Sequence, residues 1–106
     1  MSRKTKHFIV LTVHFEQEQD GRWTAECKEL GTATFGDTLE EANQSVREAI
    51  VLHLNGLEEV GERERFFKEN NITVYPDPVG DEFRIEAPND PRIFSQPFVH
   101  PVLQDA

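Results

Sequence analysis

The alternation in Phe8 to Phe15 constrains this chain more than any other feature. Ile9, Leu11, Val13 and Phe15 fall on one face at period two. An extended strand segregates side chains in that way, so this segment is the strongest strand signal in the chain. The opposite face carries Phe8, Val10, Thr12 and His14 and is half apolar, so half of it is expected to be covered. An Asp20-Gly21 turn follows, a signal for a hairpin. In Arg22 to Glu29, Trp23, Ala25 and Cys27 alternate with polar residues, the pattern of a half-buried second strand. Gly31 then breaks the chain, and Thr32 to Phe35 reads as a short third strand with Ala33 and Phe35 facing inward.

The period changes at Gly36-Asp37-Thr38-Leu39-Glu40-Glu41. Thr38 and Glu41 have the Thr-x-x-Glu spacing of a capping box, in which side chains satisfy the orphan amides of a helix start. Leu39, Ala42, Val46, Ala49, Ile50, His53, Leu54 and Leu57 then form one stripe at spacings of three and four. Gly56 or Gly61 is expected to bend or end this helix. Glu62 to Glu69 reads as a second short helix, closed by Asn70-Asn71. Ile72 to Tyr75 is a fourth strand. After a helical crossover it is expected to lie parallel to the first, giving the sheet order 3-2-1-4.

Composition shifts once, beyond Tyr75. All six prolines lie there, at 76, 78, 88, 91, 97 and 101. The division expected is a β-β-β-α-β domain over residues 1–75 and an extended proline-rich arm over 76–106. The arm is too apolar for simple disorder, with Phe83, Ile85, Phe94 and Phe98 among others. It is expected to pack on its own domain or on a neighbouring subunit, with one strand at Glu82 to Ala87.

The 106 residues carry 11 Lys+Arg against 20 Asp+Glu, a net charge of −9. Arg3, Lys4 and Lys6 make the first seven residues +3, so the other 99 carry −12. Such a surface repels phosphate backbones and suits a basic protein partner. The lone cysteine, Cys27, excludes an intrachain disulfide and fits a reducing compartment, so the cytoplasm is expected. No apolar run approaches the ~20 residues of a membrane span. With 37 % hydrophobic residues the core is small, which favours a homodimer or higher homo-oligomer. Phe8 and Val10 on the first strand, and Phe94 and Phe98 on the arm, are the candidate self-association or partner surfaces.

Sequence signals for catalysis are weak. His7, His14, His53 and His100 are scattered, with no His-x-x-x-His pair, and one cysteine builds no zinc cage. There is no Gly-x-Ser-x-Gly elbow or glycine-rich phosphate loop. The strand order with a following helix is the front half of a ribonuclease-H-like fold, whose nucleases hold two metal ions with carboxylates. The first strand here has no acid within Phe8 to Phe15, and Glu16 lies just past it. No catalytic, cofactor-binding or metal residue is assigned.

Several segments together carry a resemblance. They are the opening strand, the Asp20-Gly21-Arg22-Trp23 turn, Glu29-Leu30, Gly36 to Ala42 and Val46-Arg47-Glu48-Ala49-Ile50. In their order and spacing Phe8 to about Leu57 resembles the HicB-like antitoxin family. That resemblance implies a partial ribonuclease-H-like α+β fold lacking catalytic carboxylates. It implies binding to a small basic mRNA-cleaving toxin, and assembly into dimers or larger oligomers. Many such antitoxins add a helix-turn-helix or ribbon-helix-helix reader. Residues 76–106, with their prolines, lack the helical periodicity for one, so DNA binding by this chain is not expected. The function expected is therefore that of a non-catalytic neutraliser of a basic partner. The alternative is a solitary oligomeric interaction protein, and a metal-dependent nuclease ranks last.

Overall fold

The computed structural model describes residues 4–76 and 85–105. Elements run β1 (Lys4–Gln17), β2 (Trp23–Cys27), β3 (Thr32–Gly36), α1 (Leu39–Glu59), α2 (Arg63–Glu69), β4 (Val74–Pro76) and β5 (Ile93–Asp105). The class is α+β, and all five strands belong to one antiparallel sheet with the path β3-β2-β1-β4 and β5 paired to β1.

β1 is the strand around which the sheet is organised. Its 14 residues reach about 46 Å at ~3.3 Å per residue. β5 runs along it from Lys4↔Asp105 to Glu16↔Ile93. Phe8 pairs with both Tyr75 and Pro101, and Phe15 with both Ala25 and Phe94. A strand has two edges, so β2 and β4 share one edge of β1, at opposite ends, and β5 fills the other. Between β2 and β4, Thr12 is left without a strand partner on the shared edge. The Glu29 carboxylate takes its place, accepting from Thr12 N at 2.7 Å and Thr12 Oγ1 at 2.8 Å. This is how Thr12 stays buried at 3 % exposure on the half-covered face.

One face of the sheet is the core. Ile9, Leu11, Val13 and Phe15 of β1, Ala25 and Cys27 of β2, and Phe98 and Val102 of β5 are buried with Ala42, Val46, Ile50 and Leu54 of α1. Phe15 stacks on Phe94 with ring centroids 5.0 Å apart. α1 begins at Thr38, whose Oγ1 accepts from Glu41 N at 3.1 Å. The Glu41 carboxylate reaches one residue further back than a capping box requires, to Asp37 N at 3.0 Å. Gly36 sits so close beneath this turn that a Cβ there would collide with Ala42 N and Glu41 Cβ.

α1 passes through Gly56 and is closed just past its end by Gly61 (φ 72°), where Glu62 N donates to Leu57 O at 2.9 Å and Gly61 N to Glu58 O at 3.2 Å. This double closure is the Schellman motif, and α2 ends the same way. There the left-handed residue is Asn71 (φ 57°), and Ile72 N donates to Phe67 O at 2.8 Å. Ile72 and Phe67 are both buried, the hydrophobic contact that accompanies the motif.

Three expectations need correction. β4 has the expected partner, but it lies antiparallel to β1. α2 and the Asn71 turn bring the chain back into the sheet from the end opposite to that of a single crossover. In β3, Phe35 is 62 % exposed and Ala33 is exposed, so both face outward. The register Ala25↔Thr34 and Cys27↔Thr32 places Thr32 and Thr34 on the helix face instead. There Thr34 Oγ1 donates to Ala42 O at 3.2 Å, and Thr32 Oγ1 lies 3.3 Å from His53 Nδ1. A one-residue slip in register exchanges the two faces of a strand. Finally, the strand of the proline-rich segment is Ile93–Asp105. Of the expected strand at 82–87, residues 82–84 lie outside the described residues and 85–87 are irregular.

Candidate binding groove

β5 determines the character of the site because, among the described residues, no strand pairs with its outer edge. Both peptide groups of Thr12 are used on the β2 side, N to Glu29 Oε1 and O from Lys28 N at 2.9 Å. The pair Thr12↔Pro97 is therefore one in which neither residue bonds across the ladder, and the Pro97 peptide groups point outward. Orientation alternates, so residues 95, 99, 101 and 103 also point outward. Two further bonds agree: Ile93 N donates to Asp90 O at 3.1 Å, and Leu103 O accepts from Arg63 Nη1 at 3.0 Å. Pro97 and Pro101 thus sit where a missing amide costs the β1–β5 ladder nothing.

Beside this edge runs a groove of about 570 Å³. The stripe Ala42, Val46, Ile50 and Leu54 points into the core, so the next residues round the helix, Arg47, Val51 and Asn55, turn toward β5. They form one wall with Glu48 and Leu52, and Phe98, Val99, His100 and Pro101 form the other. Leu52 is 74 % exposed. The Arg47 guanidinium lies over the Phe98 ring at 4.8 Å, and His100 stacks on the same ring at 5.9 Å. Burial holds the His100 imidazole below the usual histidine range. Past Asn55 the groove continues into a hollow of about 260 Å³ bounded by Glu58, Arg63, Phe67 and Leu103. Arg63 pairs there with Glu58 at 3.2 Å.

The four candidate association residues fall on two faces. Phe8 and Val10 are half-buried on the sheet face opposite α1. Phe94 and Phe98 lie on the helix face, Phe94 37 % exposed and Phe98 buried at 6 %. Glu16 lies elsewhere, in a polar cleft of about 650 Å³ with Glu18, Asp20, Arg22, Phe35 and Arg92. Among the described residues no group of three or more His, Cys, Asp or Glu is placed to hold a metal ion. The Cys27 thiol is buried and its pKa is pushed up to about 11, chiefly by desolvation. His14 Nδ1 lies 2.6 Å from Ser95 Oγ, a cross-strand pair on the face opposite the helix.

Sequence reasoning singled out Phe98 but not the rest of the groove. Val51 and Leu52 stand outside the apolar stripe of α1, and two exposed apolar residues on the polar side of a helix are the signal that could have found them. The edge itself had no signal until β5 was placed, because the significance of Pro97 and Pro101 depends on which way their nitrogens point.

Fold and groove together define a small α+β protein: an antiparallel sheet with α1 on one face and, among the described residues, no strand paired to the outer edge of β5. The chain belongs to the Family of unknown function (DUF7387), whose profile matches residues 2–89. The match covers β1 to β4 with both helices and ends before β5. No curated protein and no solved structure matches the chain. No described helix is long and apolar enough to cross a membrane.

Proposed function

We propose that this chain is a non-catalytic protein-binding module that neutralises a small basic partner, as an antitoxin neutralises an mRNA-cleaving toxin. One observation carries the reading. An acidic chain, −9 overall, keeps an apolar groove open beside a strand edge that pairs with no other strand among the described residues, a combination suited to a basic polypeptide. The meander leading through Gly36-Asp37-Thr38 into α1 supports the HicB-like likeness and a partial ribonuclease-H-like ancestry, although antiparallel β4 departs from the parallel strand expected of it. The single reduced cysteine supports a cytoplasmic setting. Co-expression with the product of the adjacent reading frame is expected to yield a complex and to relieve any growth arrest that product causes. If neither occurs, the reading fails.

A second reading, a homo-oligomer with a structural task, draws on the half-buried Phe8 and Val10 and on Leu103, 56 % exposed. Light scattering that reports a monomer at every workable concentration would remove it.

A further inference from the structure

We infer that the groove between α1 and β5 is where the partner binds, and that it takes an extended, cationic segment that adds to β5 as a sixth strand. This assignment rests on the protein-binding reading above and specifies its surface. Three observations lead to it.

The first is an imbalance of hydrogen-bonding groups. Along the groove the outer edge of β5 presents the carbonyls of Pro97, Val99 and Pro101 but one amide, that of Val99, because proline has none. Among the described residues no strand pairs with this edge. An edge of that kind resists pairing with an ordinary strand, which brings as many acceptors as donors. It favours a ligand with donors to spare, and arginine and lysine side chains supply donors without acceptors.

The second observation is an intramolecular example. Just beyond the groove the next outward carbonyl, Leu103 O, is bonded by the Arg63 guanidinium at 3.0 Å. One cationic side chain of this molecule thus already satisfies a β5 edge carbonyl in the way proposed for those of the partner.

The third is charge and shape. The groove's own ionic residues balance, Arg47 and Arg63 against Glu48 and Glu58, so preference for a cation comes from the edge carbonyls and the −9 field of the whole chain. That field also repels a second copy of the chain. The volume of about 570 Å³ lies within the roughly 300–1,000 Å³ of sites that enclose ligands, and Val51, Leu52 and Phe98 offer apolar contact to alternate side chains of an added strand.

The test uses a labelled ten-residue peptide, (Val-Arg)5, followed by fluorescence anisotropy with the whole chain at near-physiological salt. Comparison peptides are (Val-Glu)5 and two (Val-Arg)5 isomers N-methylated on every valine or on every arginine. In an added strand only alternate amides face β5, so the two isomers should differ in affinity by at least tenfold while (Val-Glu)5 does not bind. Leu52→Arg, at an exposed position, should weaken (Val-Arg)5 at least tenfold with an unchanged circular dichroism spectrum. Equal binding of the two isomers would reduce the effect to bulk charge and overturn the assignment. So would absence of (Val-Arg)5 binding, or a dimer of the chain that Leu52→Arg dissolves. A basic partner protein that binds Leu52→Arg as tightly as wild type leaves the general reading standing and removes the groove from it. Absence of any basic partner removes the reading itself.

Discussion

At the scale of single residues, Glu29 holds together a sheet whose central strand has a gap on one edge. Its carboxylate receives both the amide and the hydroxyl of buried Thr12. Glu29→Ala leaves that amide without a partner, and an unsatisfied buried donor costs about 1–3 kcal/mol, a loss that urea denaturation would register. The sequence placed Glu29 at the end of a strand and in the Glu29-Leu30 pair of the resemblance, but nothing in a strand pattern says that a side chain replaces a missing neighbour. His100 yields a second prediction. Its imidazole is half-buried beside Phe98, and that partial desolvation puts its folded pKa below the unfolded value. Between the two the unfolded chain binds more protons. The stability concerned is complete above about pH 6.5 and declines as pH falls through the folded value. In thermal melts at pH 7.5 and 5.5, His100→Gln is expected to lose less stability than wild type over that interval.

At the scale of elements, α1 is the part that sequence described best, because a cap and a stripe are both local. Thr38 is the N-cap, with its hydroxyl on Glu41 N. Thr38→Ala is expected to cost roughly 0.5–2 kcal/mol by chemical denaturation. β3 was harder to read: four of its five residues are small or polar and fit either face, the one large residue, Phe35, points outward, and the choice is made by pairing with β2, where Ala25 and Cys27 are already committed inward. β5 was the hardest. Its inner residues Phe94, Gln96, Phe98, His100 and Val102 do alternate with the rest, yet two prolines argue against a strand until their nitrogens are known to face away from β1. The groove was illegible for the same reason, since one of its walls is that strand.

At the scale of the whole molecule, β5 completes the core rather than decorating it. Phe98 and Val102 are buried in the same cluster as Ile9 and Leu11, and the ladder spans β1 from Lys4 to Glu16. A chain ending at Arg92 is therefore expected to lose cooperative unfolding and to aggregate, its apolar core and the long edge of β1 both uncovered. Calorimetry and light scattering of that truncation, set against the 106-residue chain, would decide it. The acidic surface has an effect at this scale too. On the proposed reading it sets which partners approach and the groove sets where they bind, and neither property was visible in any single motif.

The pairing of β1 with β5 has a consequence in time as well as in space. Lys4 lies opposite Asp105, so β1 leaves the ribosome well before the strand that covers one of its edges. Pairings this distant along the chain are slow to close, and an unpaired edge is exposed to other chains meanwhile. Until β5 docks, the newborn chain therefore carries the longest of its described strands half-clothed. Its most vulnerable interval is the one in which residues 93–105 have been made but have not yet found β1.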